Sequence, residues 1–262
     1  MSTDSTSRTR VRGGGLPGAL AFEWIKMAGV RSTWWSVAGG FFLIVCVDVV
    51  IGLSTAVSGD NGYDVTRPAP HAAMEGLLLA QLPFIALAAL AVTSEYATGT
   101  IRTSLQSVPV RGRLMFAKAV VVTVLIFVSG VALCLVGTAV LAPLSGGYTD
   151  FTPGELAGTA TATGTYLALL GLLTLGLGTF LRSAAGTIVA TTLLLLAVPQ
   201  LLRLATVDWL ADVSDFLPDT AGSILLTQGT DPYGSGVALV VLVGWAAVAS
   251  GAGFWRLRTR DA

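Results

Sequence analysis

An all-α polytopic membrane protein is the fold class the sequence predicts, and three observations predict it. Of 262 residues, 53% are hydrophobic and only 11% charged, whereas a soluble domain of this size carries about a quarter charged residues. Mean hydropathy is +0.77. Apolar runs close to the roughly 20 residues that a helix needs to cross the hydrocarbon core recur along the chain.

The runs place six spans near 34–53, 73–93, 119–142, 158–181, 186–204 and 235–255. A β-barrel would instead show short alternating segments separated by turns. Continuous stretches such as LLLAQLPFIALAALAV and AVVVTVLIFVSGVALCLVG exclude it. The first run is too long for a cleavable signal peptide and no small-residue cleavage site follows it, so it is expected to stay as an anchor.

Formal charge is zero but unevenly distributed. With the N-terminus in the cytoplasm, Arg8, Arg10, Arg12, Lys26, Arg31, Arg102, Arg111, Arg113, Lys118, Arg182, Arg256, Arg258 and Arg260 fall inside, and only Arg67 and Arg203 fall outside. The positive-inside rule then predicts both termini in the cytoplasm. The outer segments become acidic, with Asp60, Asp64, Asp150, Glu155, Asp208, Asp212, Asp215, Asp219 and Asp231.

Residues 1–15, rich in Ser, Thr, Arg and Gly, read as a disordered cytoplasmic tail. Residues 16–262 read as a single transmembrane domain. Its first element is a short interfacial helix: Pro17 suits a first turn, Leu20, Trp24, Met27 and Ala28 recur at helical spacing, and Glu23 and Lys26 lie off that stripe. Before the last span, Trp209, Leu210, Val213, Phe216 and Leu217 form an apolar stripe opposite Asp208, Asp212, Asp215 and Asp219, and Pro218 ends it. This outer segment is expected to be amphipathic against the outer leaflet or to lead into a re-entrant turn through 221–228.

Cys46 and Cys134 sit inside apolar spans as small hydrophobes, so neither a disulfide nor a metal site is expected. His71, the one histidine, reads as a solvated residue of the first outer loop.

Between the second and third spans lies a polar island, residues 94–118. Glu95 stands at the inner end of the second span and Gly99 interrupts that helix. Thr100 can act as an N-cap, and a short helix over 101–107 must stop near Val108 because the residue before Pro109 is biased away from the helical region. Ile101 and Leu105 then share one face at i, i+4, flanked by Arg102, Arg111, Arg113 and Lys118. This surface suits a partner protein.

The order Glu95, Gly99, Thr100, Arg102, Leu105, Pro109, Arg111 and Lys118 after the second of six spans resembles the cytoplasmic segment of bacterial ATP-binding-cassette (ABC) transporter permeases of the type-2 class. The LPDTAG run at 217–222 is similar to that family's outer segment. The resemblance implies a multi-pass subunit of the bacterial cell membrane that pairs with a separate ABC ATPase, together with a second copy of itself or a related permease, and moves a substrate, usually outward. The 101–107 helix would be the coupling helix. ATP and Mg would bind the partner; the chain has no G-x-x-x-x-G-K-[ST] loop of its own. No cofactor and no nucleic acid are expected.

For the substrate pathway, Asp48 is the one acid well inside a span, and intramembrane ionisable residues are functional hypotheses by default. Pairing with a neighbouring helix is the plainer alternative. Glu75, Gln81 and the kink-inducing Pro83 of the second span are similar in kind. Gly164, Gly171, Gly176 and Gly178, with Ala247, Ala249, Gly251 and Gly253, read as packing or dimer contacts. A membrane enzyme would need paired intramembrane carboxylates, a Ser/His arrangement or a histidine metal motif, none of which the sequence offers. A sensor or immunity subunit that binds a ligand at the acidic face shares this topology.

Overall fold

The computed structural model describes residues 15–99, 111–204 and 208–259. Among these residues every regular element is helical. Five helices are long and apolar enough to cross a membrane, and a bent pair makes a sixth crossing if it runs as one span. Of the tail expected over 1–15, residues 1–14 lie outside the described residues and Gly15 already belongs to the first helix; the short helix expected over 101–107 lies outside them too.

Helix α1 is Gly15–Gly29. Val30 then adopts an extended backbone (φ −93°, ψ 123°) and α2 begins at once, Arg31–Asp60. Trp34 Nε1 donates to the Ala28 carbonyl at 2.9 Å, using one of the acceptors that the end of α1 leaves free. The buried side of α1 is Ala19, Glu23 and Met27, at i, i+4, i+8. This corrects the stripe read from sequence: Trp24 is exposed and Glu23 is fully buried. Buried countercharges make that face stable, as set out below.

The second crossing is broken rather than simply kinked. Short α3 (Ala69–Ala73), a 3-10 turn (Met74–Gly76) and α4 (Leu77–Ala80) precede α5 (Leu82–Thr98). The pair Ala69–Ala80 and Leu82–Thr98 meets at 47°. Pro83 at the start of α5 has no N–H to give to the preceding turn, which favours a break there. His71 belongs to α3, and its Nε2 is buried, so it is not the solvated loop residue expected.

Helix α5 ends at Gly99, whose φ of +70° is a left-handed cap that glycine adopts without strain. Helix α6 runs Arg111–Leu144. It starts eight residues before the expected third span because Leu114, Ala117 and Lys118 form a buried face at i, i+3, i+4. Only residues 99–110 therefore lie between the two helices.

Helix α7, Pro153–Leu181, is opened by a capping box: Glu155 N donates to Thr152 Oγ1 at 3.2 Å and Thr152 N to Glu155 Oε2 at 2.6 Å. It is the centre of the bundle, with 67% of its most apolar stretch buried against 22% for α2. Small residues bring its neighbours close. A methyl on Gly130 of α6 would lie 2.9 Å from Gly164 Cα, and one on Gly176 would lie 2.5 Å from the Ala249 carbonyl carbon of the last helix. Of the small residues singled out, Gly251 has nothing within 4 Å of an added methyl and takes no part in this packing.

The fifth crossing comprises α8 (Ala184–Thr192), a π-helical turn (Leu193–Ala197) and α9 (Val198–Leu204). Ser183 caps α8 by accepting from Gly186 N at 3.2 Å. On the acidic side, α10 (Asp208–Asp215) leaves Trp209 and Val213 exposed, and Phe216 just beyond it is exposed too, whereas Leu217 of the expected stripe is buried. Helix α11 (Pro218–Thr227) follows in place of a bare turn and buries Ala221, Ile224 and Leu226 against the bundle. Helix α12 (Ser235–Thr259) completes the fold.

Candidate functional sites at the two ends of the bundle

At the end that carries Arg182 and Arg256, four charged side chains from three helices meet. Lys118 of α6 is buried. Its Nζ lies 2.6 Å from Glu23 Oε2 of α1, donates to the Ala91 carbonyl of α5 at 3.1 Å, and also bonds Glu95 of α5. Lys26 of α1 bonds the same Glu95 oxygen and lies 3.3 Å from Glu23 Oε1. Two ammonium groups thus neutralise two carboxylates. Removal from water is costly for each ion alone, and the reciprocal pairing offsets that cost.

Glu95 Oε2 has no partner among the described residues. Burial alone would lower the pKa of Lys26, but the hydrogen bond and charge of Glu95, with Glu23 added, outweigh it and hold the group above its ordinary value of 10.5. A cleft of about 110 Å³ opens beside the cluster, between Lys26, Thr33, Leu90, Ser94 and Lys118. The guanidinium of Arg182 stacks over Tyr96 at 5.1 Å, and that of Arg256 over Phe180 at 4.6 Å.

Of the residues singled out in the polar island, Glu95 and Lys118 turn inward, into this cluster, instead of flanking a partner-facing surface. Gly99 caps α5 and Arg111 begins α6. Thr100, Ile101, Arg102, Leu105 and Pro109 lie outside the described residues. Sequence reading missed the inward roles of Glu23 and Lys26. The available signal was charge balance: two acids and two bases at the ends of three adjacent apolar helices.

Toward the opposite, acidic end, the break in the second crossing faces α7 and α11. Glu75 pairs with Arg67. Gln81 is buried, accepts from Tyr166 Oη of α7 at 2.7 Å and donates to the Leu78 carbonyl at 3.3 Å. A cavity of about 150 Å³ is lined by Glu75, Gln81, Tyr166, Asp219 and Ser223 with apolar neighbours. Burial pushes the Asp219 carboxyl up, against the opposing pull of Arg203. Arg203 itself donates to Thr220 Oγ1 at 3.1 Å. Glu75 and Gln81 therefore share one cavity with Asp219, which the sequence marked only within the acidic segment and the LPDTAG run, and Tyr166 and Ser223 are additions that no local pattern marked.

Asp48 does not line that cavity. It is buried on α2 against the 3-10 turn and α6, and neither of its oxygens has a hydrogen-bond partner among the described residues. The neighbouring-helix partner that the sequence left open is not present among the described residues. Cys134, a free thiol, is buried close by, while Cys46 is exposed on the outer side of α2. No group of three metal-ligating side chains gathers among the described residues.

No protein-family model matches the chain, and no curated protein is significantly similar to it.

Proposed function

We propose that this chain is the permease subunit of a type-2 ABC transporter of the bacterial cell membrane. In this reading a separate ATPase subunit docks on residues 101–107, the segment that the sequence alone predicts to be a coupling helix, and drives substrate export through a pair of permeases. The supporting observation is the four-charge cluster. Glu23, Lys26, Glu95 and Lys118 tie α1, α5 and α6 together at the roots of the 99–110 connection. A load applied to that short connection would pass into α5 and α6 as a unit, with α1 moving alongside. A loose polar loop would dissipate it.

Coupling requires that the docked helix contact the open and closed states of the ATPase differently. The reading gives both termini to the cytoplasm, and ATP and Mg to the partner. Replacing Ile101 and Leu105 together with aspartate removes the apolar docking face. The expected outcome is loss of stimulated ATP hydrolysis and of transport in proteoliposomes holding both subunits, with membrane insertion unchanged. Normal transport by the double variant would refute the assignment.

A further inference from the structure

A groove of about 570 Å³ opens between α6, α7 and α12. Phe116, Val120 and Val124 of α6, Leu172 and Leu175 of α7 and Phe254 of α12 line it, and no lining residue carries a charge. Leu175 is buried, while Phe116 and Val124 stay exposed along the groove. From Gly112 to Val124 the α6 wall is about 18 Å long at the rise of a helix. One leaflet contributes roughly 15 Å to the hydrocarbon core. The groove therefore runs about one leaflet deep from the basic end of the bundle.

Two arginines stand at its mouth. The Arg258 guanidinium lies over the Phe254 ring at 4.5 Å. Arg113 is exposed and shares the row of Val120 and Val124 on α6, at i, i+7, i+11. It follows Gly112, whose added methyl would lie 3.8 Å from the same Phe254 ring. Among the described residues neither arginine forms an ion pair with an acid. Trp255, beside Phe254, is exposed, as suits an aromatic side chain at the membrane–water interface. The mouth thus lies at headgroup level.

An apolar trough one leaflet deep, with two uncompensated cations at its mouth, complements a molecule with an anionic head and an acyl chain. A second copy of the chain fits less well, because it would lie in the membrane with the same orientation and bring its own arginines to the same level. Guanidinium groups match phosphate oxygens with paired hydrogen bonds. We infer that the groove binds an anionic glycerophospholipid of the surrounding bilayer, with an acyl chain along α6 and α7 and the phosphate between Arg113 and Arg258. This binding needs only that the chain spans a membrane, and it holds whether or not an ATPase is its partner.

The test is native mass spectrometry of the full chain in detergent, titrated with dioleoyl phosphatidylglycerol or dioleoyl phosphatidylcholine. One phosphatidylglycerol should be retained with an affinity on the order of tenfold above that of phosphatidylcholine, as two basic contacts predict. Arg113→Gln combined with Arg258→Gln should bring the two lipids level. Arg256, about 200° from Arg258 around α12, stacks on Phe180 instead, so Arg256→Gln should leave the preference intact. Ala119→Trp fills the groove, keeps both arginines and should abolish retention. Val124→Trp, at an exposed position of the lining, gives the same reading if the first variant fails to assemble. Equal affinity of the wild type for both lipids would overturn the proposal, as would an undiminished preference in the double arginine variant. Retention unchanged by tryptophan in the groove would mean headgroup binding without a seated chain and would also overturn it. A chain dimer that tryptophan dissociates, with no lipid retained by the wild type, would give the groove to a second copy.

Discussion

The two ends of this bundle bury charge in opposite ways. At the basic end Glu23, Glu95, Lys26 and Lys118 neutralise one another across three helices. Toward the acidic end Asp48 is buried with Gly76 and Gly137 making room and no hydrogen-bond donor to it among the described residues. A paired cluster is a fastener, because separating its members exposes every ion to lipid. An unpaired acid fastens nothing, and the two glycines beside it are all that make its place.

The largest effect expected on this contrast comes from removing one member of the cluster. Lys118→Met leaves buried carboxylates without their central cation and should cost about 3–5 kcal/mol. Thermal unfolding of the purified chain in detergent would read this. Adding Glu95→Gln restores neutrality, leaves the Glu23 and Lys26 pair, and should recover most of the loss. Failure of that rescue would show that Lys118 acts by packing rather than by charge.

A smaller effect tests the other end. Gly137→Ala drives a methyl to 2.4 Å from Asp48 Oδ2, and overpacking of this sort costs about 1–3 kcal/mol. The same change in an Asp48→Ala background should be close to neutral. Equal destabilisation in both backgrounds would mean that Gly137 is needed for some contact other than Asp48.

The smallest effect is the contribution of Lys26, whose side chain is 29% exposed. At neutral pH it is expected to be about 1 kcal/mol or less. Its pKa is raised on folding, so the stabilisation is fully present below the ordinary lysine value of 10.5 and is lost as pH climbs through the higher folded value. The stability gap between wild type and Lys26→Met should hold constant through neutral and mildly alkaline pH and close only in strong alkali. A gap that closes near neutrality would exclude this pairing.

Local signals carried some of this and not the rest. The spans were legible because lipid demands long apolar runs, and the cap at Gly99 because few other residues end a helix left-handed. The break at 81–82 was half legible: Pro83 announced a disturbance, but the short turns before it depend on packing against α2 and α7. The stripe of α1 was misread because hydrophobic periodicity takes a glutamate for a surface residue. Glu23 is buried only because Lys118 arrives from 95 residues away. Tyr166 and Asp219 carry no local mark that would join them to Gln81 and Glu75.

By itself the sequence determined that this is a helical protein of the membrane, and where its crossings and its polar island fall. Those properties depend on composition and period along one strand of chain. Tertiary structure alone decided which charges are partnered. Glu23, Lys26, Glu95 and Lys118 become a closed set, and Asp48 a solitary acid, only when separate helices are brought side by side. In the low dielectric between helices, a partner's presence or absence at a few ångströms sets the fate of a charge.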